Sequence, residues 1–300
     1  MSINTLLNFI MKRTGYLCIL LLGVLFSSCE QKTEWRSLLD KDLSQWRIYQ
    51  SFAFESAEYN GQIPLGQDGN PLPIIGYDKN ERNVFSIIEE NGEPVLHITG
   101  EIYGCVFTKE DFRNYHFVTK IKWGNKKWHP RLNEALDSGI LYHSQGEAGV
   151  DYFHSWMLSQ EFQIIEDGCG DYWPIANSQI DIRASVPDGK PNPFFDPSAL
   201  FTSFGMHTEN PGTCSIAESF ESPKGEWTTL ELICYEGKSL HIVNGKVVMA
   251  LANSRYWTEE GSKPLVSGKI QLQSEAGEVF FKDIRIKDID SLPEEYGHYF

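Results

Sequence analysis

Between positions 159 and 173 the chain reads SQEFQIIEDGCGDYW, and Glu161, Gln163, Glu166 and Asp167 within it are the residues best suited to chemistry. Two carboxyl groups held ~5–5.5 Å apart can act on a glycosidic bond as nucleophile and acid/base, and a single positioned carboxylate can remove an activated proton from carbon. Alternation along an extended segment puts Phe162 and Ile164 on one face and Glu161, Gln163 and Ile165 on the other. With the first pair packed between two sheets, Glu161 and Gln163 project from the outer face. A regular strand then brings Asp167 to that face, whereas a β-bulge near Ile165 brings Glu166 instead. His143 and His207 are further candidate acids or bases. Trp156, Tyr172, Trp173 and His207 stand where they could contact a substrate, as do Gln273 and Glu275 at the end of a later strand. No HExxH pair is present. Carboxylates, amides and histidines spread over a sheet could still hold one hard divalent cation, so the metal content is open.

The elements that must position these groups read as strands. In HFVTKIKW (116–123), Phe117, Ile121 and Trp123 face one way, and Val118, Lys120 and Lys122 the other. SGILYHS (138–144) is a second strand, which places His143 on the face opposite Tyr142. WTTLELICYEGKSLHIVNGKVVMAL (227–251) reads as three strands with turns at Glu236-Gly237 and Asn244-Gly245, and GKIQLQSEAGEVFFKDIRIKDI (268–289) as two more. RLNEAL (131–136) is the best candidate for a helical turn. Between Gly168 and Pro223 the pattern weakens into a proline-rich, aromatic stretch, expected to be a long irregular excursion. Many strands, short turns and little helix predict an all-β fold, a two-sheet jelly-roll sandwich whose end strands pair with each other.

The N-terminus is a different kind of segment. Lys12 and Arg13 precede an apolar run from Tyr16 to Phe26, too short to span a bilayer. It ends in FSSC, which resembles a lipobox, with Cys29 the lipidated first residue after cleavage. Met11 would serve as the start of a complete signal. The expected organisation is a lipoprotein signal peptide over 1–28 and a single β-sandwich domain over 29–300. A formal net charge of −15 argues against nucleic acid, and leaves the lipid as the hold on a membrane. Cys105, Cys169, Cys214 and Cys234 allow three complete pairings and form no CxxC motif. Cys234 shares a face with Leu230 and Leu232 and is expected to be a buried free thiol.

Five segments in order resemble the 3-keto-disaccharide hydrolase family: EWRSLLDKDLSQWRIY (34–49), DSGILYHSQG (137–146), QEFQIIEDG (160–168), PKGEWTTLELICYEGKSLHIVNGKVV (223–248) and SGKIQLQSEAGEVFFKDIRIKDI (267–289). The likeness covers about 34–290. It implies a concanavalin A-like sandwich in a lipoprotein of the bacterial envelope, at the outer membrane and facing the periplasm or the surface. It also implies cleavage of an oligosaccharide or glycoside oxidised to a ketone at C3, by elimination or net hydrolysis. Glu161 would be the base or a metal-linked carboxylate, Gln163 a donor to a substrate oxygen, and Glu166 or Asp167 a proton donor. The sequence departs from the family in its long segment after Gly168 and in having His143 where an arginine is usual.

A second resemblance, to laminarinase-like retaining glucanases, rests on EFQIIE, which keeps Glu161 and Glu166 of a Glu-x-Asp-x-x-Glu motif. Here Gln163 replaces the middle aspartate and cannot titrate. The remaining alternative is a glycan-binding lipoprotein without catalysis.

Overall fold

Branched and aromatic residues are frequent in the segments between turns, and there the backbone is extended. The structure, a computed structural model, describes residues 34–54, 59–151 and 153–300. The signal segment, Met11 and Cys29 lie outside the described residues. In chain order the strands are β1 (Arg36–Ser37), β2 (Trp46–Gln50), β3 (Gly76–Tyr77), β4 (Phe85–Glu90), β5 (Glu93–Ile98), β6 (Gly104–Thr108), β7 (Tyr115–Lys127), β8 (Asp137–Gln145), β9 (Leu158–Ile165) and β10 (Tyr172–Ile175). They continue as β11 (Ser178–Ser185), β12 (Phe194–Phe195), β13 (Phe201–Gly205), β14 (Thr228–Tyr235), β15 (Lys238–Val243), β16 (Lys246–Tyr256), β17 (Lys263–Pro264), β18 (Lys269–Ser274) and β19 (Gly277–Asp288).

They form two antiparallel sheets of a jelly roll. The larger runs β12-β11-β16-β15-β14-β7-β19-β5-β4, with β1, β13 and β17 added at its sides; the smaller runs β10-β9-β8-β18-β6-β2-β3. The ends of the chain do pair, Arg36 with Ile286. Hairpin turns fall where the dipeptides predict. Glu236-Gly237 has φ of 46° and 78° and Asn244-Gly245 has φ of 47° and 75°, the doubly positive geometry of a type I′ turn.

The main core lies between the sheets. Phe117 and Ile121 of β7 and Leu232 of β14 belong to one buried cluster with Tyr142 of β8 and Phe162 and Ile164 of β9. Complete burial of a side chain such as Phe162 is worth about 1.5–3 kcal/mol. That burial fixes which face of β9 looks outward, since a slip of one residue would exchange Phe162 for Glu161. A second cluster covers part of the smaller sheet's outer face, where Cys105, Phe107 and Leu141 are buried with Phe52, Phe54, Trp156 and Met157. The part left open is the part that carries acids.

Several expectations are corrected. RLNEAL forms no helix. The excursion after Gly168 exists, but it carries β10 to β13. β9 pairs with β8 in unbroken register from Glu161 to Ile165, so no bulge forms at Ile165. A bulge does occur on β8, where the register shifts between Tyr142 and Gln145 and His143 has φ of 53°. Cys234 is a buried free thiol, as expected, and Cys105, Cys169 and Cys214, whose pairing the sequence left open, are free and buried too.

Candidate active site

A cavity of about 470 Å³ opens on the outer face of the smaller sheet, with its polar lining on β8, β9 and β18. β9 contributes Glu161 and Gln163, as alternation requires. β8 contributes Asp137, the register partner of Ile165. Gln273 and Glu275 come from β18 and the residue after it. Arg131 reaches in from the β7–β8 connection. That connection is pinned by Trp128, whose amide donates to the Ala276 carbonyl at 2.9 Å and whose indole N–H donates to the Thr99 carbonyl at 2.9 Å.

Glycine in the DSG stretch makes the floor possible. A Cβ on Gly139 would overlap both Glu161 Oε1 and Gln273 Oε1, so these two oxygens lie over the bare backbone. The preceding Ser138 ties the strands together, its hydroxyl donating to the Gln273 carbonyl at 2.9 Å. Glu161 is 3% exposed and Gln273 1%. Neither of those oxygens has a hydrogen-bond partner among the described residues, nor does Asp137 Oδ1. Gln163 is anchored differently. Its Oε1 accepts from the Ile164 amide at 3.0 Å, which leaves the amide nitrogen available to a bound molecule.

The electrostatics are those of a crowded acidic pocket. Burial, followed by the like charges of Glu275, Asp137 and Asp151, pushes Glu161 well above the usual carboxylate range. Burial and then Asp137 push Glu275 up as well, against the pull of Arg131. Burial raises Asp137 to about 7 despite Arg131, whose Nη2 is 2.5 Å from its Oδ2. Arg131 Nη1 is 3.7 Å from Glu275 Oε1. The site therefore holds three carboxyl groups whose pKa is raised, Asp137 to about 7, and one guanidinium among them. Asp137, Glu161 and Glu275 are oxygen donors of the kind hard cations prefer. Among the described residues, however, no group of three acids, histidines or cysteines is arranged to hold a metal ion.

Of the residues singled out in the sequence, Glu161, Gln163, Trp156, Trp173, Gln273 and Glu275 line this cavity. The others do not. Glu166 sits past the end of β9, where its Oε2 accepts from the Leu136 amide and its Oε1 from Lys224 at 2.7 Å. Burial pushes its pKa up, but the Leu136 amide, Lys224 and Lys127 outweigh this and hold it low. Asp167 turns the chain at φ of 67° and lines a separate hollow with Glu166. The bulge turns His143 off the outer face. Its ring packs against Tyr115 and Tyr142, its Nδ1 is 3.1 Å from the Leu265 carbonyl, and burial lowers its pKa to about 4. Tyr172 points between the sheets and donates to Gln160 Oε1 at 2.7 Å. His207 is exposed after β13, against the Trp257 ring.

Sequence reasoning missed Arg131, Asp137 and Asp151. Asp137 opens the DSGI stretch and alternates with Gly139, a signal that could have found it. Arg131 lies in a segment without periodicity and carries no such signal.

A family model described as the 3-keto-alpha-glucoside-1,2-lyase-like domain matches residues 34–287. None of the curated proteins matches the chain. Among solved structures, a candidate glycosyl hydrolase from Parabacteroides distasonis is similar at 18% identity and a TM-score of 0.44, over 85% of this chain and 100% of that one. A second candidate glycosyl hydrolase from the same organism gives 18% and 0.45 over 85% and 94%. LamAcat from Zobellia galactanivorans gives 10% and 0.43 over 87% and 99%.

Proposed function

Since this chain belongs to the 3-keto-alpha-glucoside-1,2-lyase-like family, we propose that it cleaves glycosides carrying a ketone at C3, by removing the C2 proton and expelling the C1 substituent. The observation that carries this reading is the buried Glu161 carboxyl, with no cation bonded to it among the described residues, over the bare backbone of Gly139. A ketone at C3 makes the C2 hydrogen acidic, so one base suffices and no second carboxylate at a fixed spacing is required. A carboxylate with a raised pKa is a stronger base than a solvated one, which suits Glu161 to the step.

Glu161 takes the C2 proton, and the C2–H electrons pass into an enolate whose negative charge rests on the C3 oxygen. Arg131, the one cation lining the cavity among the described residues, and the Gln163 amide stabilise that oxygen. The enolate then collapses. The C3 carbonyl re-forms, a C1–C2 double bond appears, and the C1–O bond breaks with its electron pair on the leaving oxygen. Glu161, which now carries the C2 proton and stands beside C1, returns it to that oxygen. Addition of water to the double bond would complete a net hydrolysis. The retaining-glucanase reading has less support, because Glu166 is bound to Leu136 and Lys224 outside the cavity.

The test is turnover by purified protein of a 3-keto-glycoside beside its unoxidised parent. Release of the aglycone from the keto compound alone is the expected result. Turnover of the parent alone would replace this reading with a conventional glycosidase.

A further inference from the structure

We propose that the edge of the cavity formed by Trp173, Pro174, Ile175 and Ile165 is a subsite for a flat, apolar aglycone, so that the preferred leaving group is an aromatic alcohol or phenol. This rests on the reaction proposed above and specifies its substrate.

The cavity has two unlike sides. The hydrogen-bonding groups cluster on the floor and the Arg131 side. The β10 side offers an indole, a proline ring and the Ile175 side chain, and Ile165 adds an apolar group at the end of β9. Trp173 and Trp35 are the tryptophans among the exposed large hydrophobics, at 45% and 38%. Trp35 is occupied, with Lys287 and Arg285 over its ring at 4.9 and 5.2 Å and His116 against its edge. Among the described residues no ring or cation stacks on Trp173, whereas Trp35 carries both.

Its position relative to the chemistry is fixed by register. Trp173 on the edge strand β10 is the cross-strand partner of Glu161 on β9, and directly opposed residues stand side by side on one face. C1 is bonded to C2. A substrate whose C2 hydrogen reaches Glu161 therefore begins its C1 substituent beside the same carboxyl, next to the indole. A sugar placed there would surrender the hydration of several hydroxyls to Ile165, Pro174 and Ile175, which return no hydrogen bonds. A flat apolar ring loses little hydration and gains an offset-stacked contact with Trp173.

The experiment compares benzyl, methyl and glucosyl 3-keto-glucosides of one anomer on the wild-type protein and on Trp173→Ala. Benzyl alcohol and methanol differ little in acidity, so the intrinsic chemistry of departure is matched. The wild type is expected to favour benzyl over methyl by about tenfold in kcat/KM, mainly through KM, with glucosyl below benzyl. Trp173→Ala should bring the benzyl-to-methyl ratio close to one, and Trp173→Phe should retain most of it. A benzyl preference that is absent, exceeded by glucosyl, or unchanged in Trp173→Ala would overturn the proposal. Should no keto-glucoside turn over, the reaction assignment fails, and the subsite is judged by calorimetric binding of unoxidised benzyl and methyl glucosides. Tighter benzyl binding lost in Trp173→Ala upholds the subsite, and equal binding overturns it.

Discussion

Glu161 combines two properties that a solvated carboxylate on a strand would not. It is buried without a bonded cation among the described residues, and three like charges raise its pKa beyond what burial does alone. Removing its charge should therefore relieve the fold while disabling the chemistry. Glu161→Gln is expected to lower kcat on a 3-keto-glycoside by about 10²–10⁴-fold, the range for a lost general base. It should also raise stability at alkaline pH, where the unfolded chain ionises this carboxyl and burial in the folded state opposes it. Steady-state kinetics and thermal melts measure the two effects, and a variant that is both inactive and less stable would point to a structural role. Gln163 was the informative residue of this strand in the sequence. The structure sharpens why: its oxygen is held by the Ile164 amide, so the side chain faces a ligand as a donor.

At the scale of elements, the site is made by the DSG stretch that opens β8. Asp137 supplies an acid, Ser138 bonds β8 to the Gln273 carbonyl, and Gly139 leaves room for the Glu161 and Gln273 side chains. Gly139→Ala places a methyl group against the far ends of those two side chains. They can move, so the expected loss of stability is modest, about 1–3 kcal/mol. Activity should fall more than tenfold, because a displacement of about 1 Å at reacting groups is costly. Wild-type kcat/KM in the Gly139→Ala protein would remove the floor from the site as described. The strands and the two hairpin turns were legible in sequence because alternation and the Glu-Gly and Asn-Gly dipeptides are local signals. The outward face of β9 was legible for the same reason. What was not legible depended on contacts distant along the chain. Alternation alone put His143 outside, and an extra residue in β8 turned it inward. Glu166 and Asp167 stayed close to Glu161 in sequence but follow the end of β9, whereas Arg131 and Asp137, far away in sequence, converge on it.

For the whole molecule, the acids set how stability depends on pH. Asp137 is raised to about 7 and Asp171 to about 6, and Glu161 and Glu275 are raised as well, burial being the largest cause in each. A raised carboxyl keeps its proton in the folded state after the unfolded chain has released it, so stability falls as pH rises from the unfolded pKa near 4 through the folded one. His143 and His241, lowered by burial to about 4 and 3, act in the opposite sense below pH 6.5, but the raised acids outnumber them. Tm is accordingly expected to fall from pH 5 to pH 8, less steeply in Glu161→Gln, as thermal melts across that range would show. The N-terminal segment carries a separate proposal, a lipid anchor on Cys29 that tethers the protein to the bacterial envelope. Cys29→Ser should move the protein from the membrane fraction to the soluble fraction of a bacterial host, and unchanged fractionation would contradict it. The central claim is that the C2 proton leaves before or with the aglycone, taken by Glu161. Proton NMR of a 3-keto-glycoside incubated with the protein in D₂O tests it most directly. The prediction is loss of the C2 proton at least as fast as aglycone release, with both abolished in Glu161→Gln. Release of the aglycone from a sugar that retains its C2 proton would contradict it.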